Sequence, residues 1–81
     1  MILVDIQVPA VGQSFDFELD EEMSAGVVTD KVVSLIADKE EMKICHGEKM
    51  YFYATDKEIL LREEYYLKQQ GIRGGEKLIM I

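Results

Sequence analysis

The sequence has only one cysteine, one histidine and one proline, and no tryptophan, in 81 residues. Cys45 therefore has no partner for an internal disulfide, and one histidine and one cysteine do not form a cluster with zinc spacing. Cys45 and His46 are adjacent, and neighbouring side chains in a loop or strand point apart, so they are not predicted to act as nucleophile and base. The sequence also lacks clustered carboxylates and a phosphate-binding glycine loop before a helix. We expect no catalytic residue, no metal ion and no cofactor, and hence no enzyme.

Long apolar runs are also missing, since the longest, over residues 50–54, has five residues. A membrane-spanning helix needs about 20 apolar residues, so direct membrane insertion is not expected. The N-terminus has no basic segment followed by a long apolar one, which is the pattern of a signal peptide. Hydrophobic residues make up 48% of the chain, and no low-complexity linker interrupts them. We therefore expect a cytoplasmic protein with a single domain over residues 1–81.

Basic residues are absent from the first part of the chain. Residues 1–30 contain seven acids and no lysine or arginine, whereas residues 31–81 contain nine acids and nine bases. The net charge of −7 therefore resides in the first 30 residues. Such a surface repels phosphate backbones and anionic lipid headgroups, so we expect no nucleic-acid partner and no binding to membrane surfaces through it. The charge does not exclude a basic protein as the partner.

Alternating apolar residues predict a hairpin in the first twenty residues. Residues 2–8 place four β-branched side chains on one face of a strand, and residues 15–20 alternate apolar side chains with acids. The turn residues in 9–13 make the two strands antiparallel. Ser24 can cap a helix that begins near Ala25. Its predicted buried stripe consists of Val28, Val32, Leu35 and Ile36.

The second half of the chain predicts three more strands. Residues 50–54 form a strand, and residues 59–61 form a short edge strand. Residues 62–70 form a turn or a short helix, and the glycines in 71–75 allow the tight turns before a last strand over 77–81. The order of strand, strand, helix, strand, short strand, helical turn and strand is that of an α+β protein.

This order is similar to the ubiquitin-like β-grasp fold, a mixed four- to five-stranded sheet with one helix packed across it. Residues 50–59 and 67–78 resemble more specifically the YukD/EsaB family, small ubiquitin-like proteins associated with bacterial type VII secretion. In that family a short strand and a polar turn precede a Gly-Ile pair and a Gly-acid-base-Leu segment. Their counterparts here are Gly71-Ile72 and the segment Gly75-Glu76-Lys77-Leu78.

The resemblance implies a non-enzymatic ubiquitin-like adaptor or accessory protein of a type VII, or WXG-type, secretion system. Its partner would be another protein, such as the secretion ATPase or a membrane component. Two alternatives stay open. One is a ubiquitin-like modifier or sulfur carrier that requires C-terminal processing, and the other is a scaffold domain that self-associates, for example as a homodimer.

Gly74 and Gly75 are the residues on which the alternative of a processed modifier or sulfur carrier depends. Ubiquitin and the sulfur carriers of this fold use a flexible C-terminal diglycine, whose carboxylate is adenylated. Here six residues follow Gly75, four of them apolar. We interpret the diglycine as a turn before the last strand.

The third and last strands lack the polar face that a half-buried strand normally has. The face expected against the helix consists of Tyr51, Tyr53, Leu78 and Met80. The opposite face would then be an exposed apolar patch on the side of the sheet that ubiquitin-like proteins use for recognition. The predicted partner-binding residues are Phe52, Ile79, Met50 and Leu3, with Ile81 beside them. Alternatively, residues 62–70 cover part of this surface.

Five acidic residues follow or belong to the second strand. They are Asp16, Glu18, Asp20, Glu21 and Glu22. On one interpretation they are outward charges that prevent an edge strand from pairing with other sheets. On the other they form an acidic docking face that steers a basic partner.

Overall fold

The computed structural model of the protein describes residues 1–40 and 49–81. Its strands are β1 Ile2–Val8, β2 Gln13–Leu19, β3 Phe52–Ala54, β4 Ile59–Leu60 and β5 Lys77–Met80, and its helix is α1 Ala25–Glu40. Two short 3-10 helices, Pro9–Val11 and Lys68–Gln70, lie in the connections. Cys45 and His46 lie outside the described residues. No helix in the described part of the chain is long and apolar enough to cross a membrane.

The five strands form one mixed sheet in the order β2-β1-β5-β3-β4. The central strands β1 and β5 are parallel, and the remaining neighbours are antiparallel. The predicted α+β class and β-grasp arrangement are confirmed. Because β2 and β4 are the edge strands, each has one side of its backbone without a neighbouring strand in the described sheet.

The core lies between α1 and one face of the sheet. Side chains from all three central strands and from the helix belong to it: Val4, Ile6, Val8, Leu78, Met80, Phe52, Ala54, Val28, Val32 and Ile36. Leu35 was predicted to join them but is 55% exposed. The buried stripe is displaced toward the flank of Ala25 and Thr29, both of which are buried, and this displacement leaves Leu35 at the rim.

The start of α1 is held by the backbone of the segment that precedes β5. The Ala25 N–H donates to the Tyr65 carbonyl at 2.9 Å, and the Gly26 N–H donates to the Glu63 carbonyl at 3.1 Å. These carbonyls satisfy N–H groups that the first turn of a helix cannot bond internally. Leu67 from the same segment is fully buried in the core. Residues 62–70 thus lie against the helix, and the alternative that they cover the outward apolar side chains is wrong.

The predicted orientation of β3 is also wrong. Phe52 is 1% exposed and lies in the core, while Tyr53 faces away from the helix. The cause is the register with β5, in which Phe52 lies opposite the buried Met80. Paired residues share a face of the sheet, so the confirmed inward orientation of Leu78 and Met80 turns Phe52 inward. Met50 follows the same alternation and packs against the core.

Candidate functional site

The outer face of the sheet, opposite α1, has an apolar half and an acidic half. The apolar half comes from β3, β4, β5 and the residues that flank them. We call it the apolar outer patch, and it consists of Tyr51, Tyr53, Leu60, Ile79 and Ile81. The acidic half comes from β1 and β2 and contains Asp5, Asp16 and Glu18.

Tyr53 is at the centre of the apolar outer patch. It lies opposite Ile79 on one side and opposite Leu60 on the other, so these three side chains form a row across the strands. Tyr51 and Ile81 extend the patch, because their backbones exchange hydrogen bonds of 2.7 and 2.9 Å. Leu60 is 51% exposed and Ile81 54% exposed. The patch is therefore contiguous and accessible on the described surface, which is a property of binding sites.

The acidic half begins one strand away. Asp5 lies directly opposite Asp16 in the antiparallel pair and beside Lys77 in the parallel pair. Two like charges in cross-strand positions destabilise a sheet, whereas the Lys77 charge offsets this effect. Lys77 thus marks the boundary between the two halves. Within the described residues, no group of three histidine, cysteine or acidic side chains is arranged to hold a metal ion.

The four predicted partner-binding residues do not lie together. Ile79 is half-buried and belongs to the apolar outer patch, but Phe52 and Met50 belong to the core side. Leu3 is exposed on the outer face, opposite Glu18. It is four positions along β1 from Gln7, the neighbour of Ile79, which corresponds to about 13 Å. Leu3 is therefore separated from the patch.

The sequence carried a signal for the residues that were missed. Tyr53 and Phe52 compete for the inward side of β3, and tyrosine has a hydroxyl group that needs a hydrogen-bond partner when it is buried. Phenylalanine has no such requirement and is the better core residue. This comparison predicts Phe52 inward and Tyr51 and Tyr53 outward, as the structure shows.

The five predicted acidic docking residues divide into two groups. Asp16 and Glu18 are exposed on the outer face of the edge strand. The other three lie in the turn before α1, where Asp20 accepts the Glu22 N–H at 3.0 Å. The Glu21 carboxylate lies 3.2 Å from the N-terminal amine. Hydrogen bonds from its own backbone N–H and from this amine lower the pKa of Glu21.

Glu76 holds the turn that leads into β5. Its buried carboxylate accepts hydrogen bonds from the Lys57 ammonium at 2.9 Å and from the Arg73 backbone N–H. Burial alone would raise the pKa of Glu76, but these two donors outweigh it and lower the pKa. Gly75 has a φ of 88° and donates its N–H to the Leu3 carbonyl at 2.7 Å. The diglycine thus lies in a turn that is hydrogen-bonded to β1, as the sequence predicts.

Two solved structures are similar to this chain along nearly its whole length. One is the solution structure of the ubiquitin-like domain of an Arabidopsis thaliana protein, with a TM-score of 0.72 and 22% identity over 99% of this chain and 74% of the other. The second is the ubiquitin of Caldiarchaeum subterraneum, with a TM-score of 0.72 and 20% identity over 99% of this chain and 90% of the other. No family model and no curated protein matches the sequence.

These similarities establish a ubiquitin-like fold. They do not distinguish the YukD/EsaB family from other proteins of this fold. A shared fold does not define a function, which depends on the surface of the particular protein.

Proposed function

We propose that this protein acts by binding another protein through the apolar outer patch, without catalysing a reaction. The observation that supports this proposal is the contiguous row of Leu60, Tyr53 and Ile79, flanked by Tyr51 and Ile81. Exposure of such an apolar row to water is unfavourable in free energy, and a partner that covers the row would remove this unfavourable term. Tyrosine is also enriched among the residues that dominate binding energy, because it combines apolar area with a hydroxyl group.

The acidic half of the outer face defines the chemistry of the partner. Asp5, Asp16 and Glu18 lie beside the patch and would attract basic residues at the rim of an interface. Charges at a rim mainly raise the association rate and are screened by salt. The proposed partner surface is therefore apolar at its centre and basic on one side.

The more specific proposal is an adaptor or accessory role in type VII secretion, in the cytoplasm. It is supported by the resemblance of residues 50–59 and 67–78 to the YukD/EsaB family. The partner would then be the secretion ATPase or a membrane component of the secretion machinery. Tyr53 and Ile79 of the apolar outer patch would supply the contact, with Leu60 from the adjacent strand.

The alternative of a processed modifier has less support. Cleavage after Gly75 would remove residues 76–81, which include the whole of the central strand β5. Leu78 and Met80 in that strand are fully buried. Removal of two such side chains costs several kcal/mol, a large part of the stability of a small domain.

The proposal is tested by affinity capture from bacterial cells with a type VII secretion system. Wild type is compared with the double variant Tyr53→Ser, Leu60→Ser and with a matched control, Tyr66→Ser, Val27→Ser. The control residues are also exposed, but Val27 lies in the first turn of α1 and Tyr66 pairs with Ser24, which precedes this helix. Thermal melts establish that both variants are folded.

We expect wild type and control to recover a secretion component and the patch variant to lose it. Equal recovery by all three proteins would show that the apolar outer patch is not the binding site. Recovery of an adenylating enzyme or of covalent conjugates would support the modifier alternative instead.

A further inference from the structure

The backbone edge of β2 is a second surface, because the proposed function uses only the outward side chains Asp16 and Glu18 of this strand. The strand has seven residues and pairs with β1 on one side only within the described structure. In an antiparallel strand, about half of the residues direct their N–H and C=O groups away from any one neighbour. These groups on β2 are a template on which a further strand can pair.

An apolar groove lies beside this edge, between β2 and α1. Its volume is about 130 Å³. Most of its lining is apolar and includes Phe17, Leu19, Met23, Val28, Val32 and Leu35. Lys31 is a basic residue in the lining, and its ammonium lies 3.7 Å from the Met23 sulfur. Leu35, which the core does not use, is the most exposed of the apolar α1 residues in the groove and supplies its outer wall.

The two faces of β2 differ in chemistry. Phe15 and Phe17 face the helix side, and their rings lie 6.0 Å apart and are only half-buried. Asp16 and Glu18 face outward. Side chains of a strand added to this edge would lie beside these residues in alternation, because neighbouring strands share their faces.

The negative charge of β2 and of the turn after it favours a basic peptide at this edge. Residues 13–22 contain five acids and no base. Asp16 already lies opposite Asp5, so a third strand with a basic residue beside Asp16 would offset an existing repulsion. A second copy of β2 would instead place acids beside acids, which disfavours self-pairing through this edge.

We infer that the β2 edge and the adjacent groove bind an extended peptide in which apolar residues alternate with lysine or arginine. The peptide adds a strand to β2 through backbone hydrogen bonds. Its apolar side chains enter the groove toward Phe17 and Leu35, and its basic side chains lie beside Asp16 and Glu18. This site shares Asp16 and Glu18 with the rim of the proposed interface, but it has no residue of the apolar outer patch, which lies across the sheet on β3, β4 and β5.

The first test uses a fluorescein-labelled synthetic peptide, Gly-Lys-Val-Lys-Ile-Arg-Val-Lys-Gly, and fluorescence anisotropy with the full chain. One control peptide has the same composition with its basic and apolar residues in separate blocks. Two further control peptides carry methyl groups on backbone nitrogens. One is methylated at the odd-numbered residues of the strand, and the other at the even-numbered residues. We expect binding of the parent peptide, at least tenfold weaker binding of the block peptide, and loss for only one of the two N-methylated peptides. Equal binding of all four peptides would overturn the inference, since it would show attraction by charge alone.

The second test uses variants of the protein with the parent peptide. We expect Leu35→Asp and the double variant Asp16→Lys, Glu18→Lys each to weaken binding at least tenfold. Leu35 is exposed, so its substitution should preserve the fold, which amide NMR spectra check. The variant Tyr53→Ser, Leu60→Ser should bind the peptide as wild type does, even if it loses its protein partner.

Amide NMR shifts locate the peptide. Shifts confined to residues 13–19 and to α1 support the inference. Shifts centred on Tyr53 and Ile79 would assign the peptide to the apolar outer patch and overturn it. A wild-type dimer that the peptide does not dissociate would also contradict it, because the edge would then be used by a second copy of the chain.

Discussion

Tyr53 of β3 lies directly opposite Ile79 of β5, on the face of the sheet that α1 does not cover. The preceding residue, Phe52, points the other way and is buried against Met80. Neighbouring aromatic residues thus lie on opposite faces of the sheet, Phe52 in the core and Tyr53 on the outer face.

This difference gives the first prediction. Phe52→Ala should lower the free energy of unfolding by about 3 to 5 kcal/mol, because it leaves a cavity in the core. Tyr53→Ala should cost clearly less, since Tyr53 is only half-buried. Urea denaturation of the two variants measures both values. A larger loss for Tyr53→Ala than for Phe52→Ala would show that the orientation of β3 is wrong.

The second prediction concerns Gly26 in the first turn of α1. A Cβ at this position would lie 3.2 Å from the Glu63 Cβ and 3.3 Å from the Glu63 carbonyl oxygen. That carbonyl accepts the Gly26 N–H, so it cannot move away without weakening the bond. Gly26→Ala should therefore destabilise the protein by about 1 kcal/mol, although alanine is favoured over glycine in helices by a similar amount.

Thermal and urea unfolding of Gly26→Ala measure this effect. Ser34→Ala is the matched control, because Ser34 is exposed in the same helix and its substitution should be neutral or slightly stabilising. A Gly26→Ala variant more stable than wild type would contradict the close approach of residues 62–67 to α1.

The third prediction is a pH dependence from Glu76. Its pKa is lowered in the folded state, so the ionised form contributes stability above the ordinary value of about 4.5. This contribution is lost as pH falls from that value through the folded pKa. Glu76→Gln should cost about 1 to 3 kcal/mol at pH 7, because it removes hydrogen bonds to a buried charged group.

Unfolding free energies at pH 7 and at pH values below 4.5 check this prediction. The difference in stability between wild type and Glu76→Gln should shrink as pH falls. A difference that stays constant over this range would mean that the Lys57 and Arg73 contacts do not depend on the charge of Glu76.

The fourth prediction concerns the repulsion between Asp5 and Asp16. Asp16→Asn should raise the free energy of unfolding by a few tenths of a kcal/mol at low salt, because it removes one of two like charges in cross-strand positions. The gain should decrease as salt is added. Asp30→Asn on the exposed face of α1 is a charge-matched control. A gain of the same size in the control would assign the effect to net charge rather than to this pair.

Much of the fold follows from the sequence. The strand over residues 2–8, the helix start at Ala25 and the turn at Gly75 agree with the structure, because alternation, capping and glycine conformation are local properties. The face of β3 does not follow from alternation, since aromatic residues occupy both of its sides. It is set by the register with β5, which lies far along the chain.

Two other features depend on tertiary contacts. Leu67 is a core residue in a segment without helical or strand periodicity, and its burial follows from the docking of that segment against α1. Leu35 fits the helical stripe but lies at its rim. Of the residues predicted for the outer apolar face, Ile79 and Ile81 lie in the apolar outer patch, whereas Phe52 and Met50 lie on the core side.

The central claim, that the apolar outer patch binds a protein partner, is tested most directly by photo-crosslinking in cells. The photoreactive residue p-benzoyl-phenylalanine replaces Leu60 in one protein and Tyr66 in another. The two positions have similar exposure, 51% and 50%, but lie on different surfaces. We predict a discrete crosslinked product from position 60 and none from position 66. A product from position 66 alone would contradict the claim and place the binding surface on the segment that lies beside the start of α1.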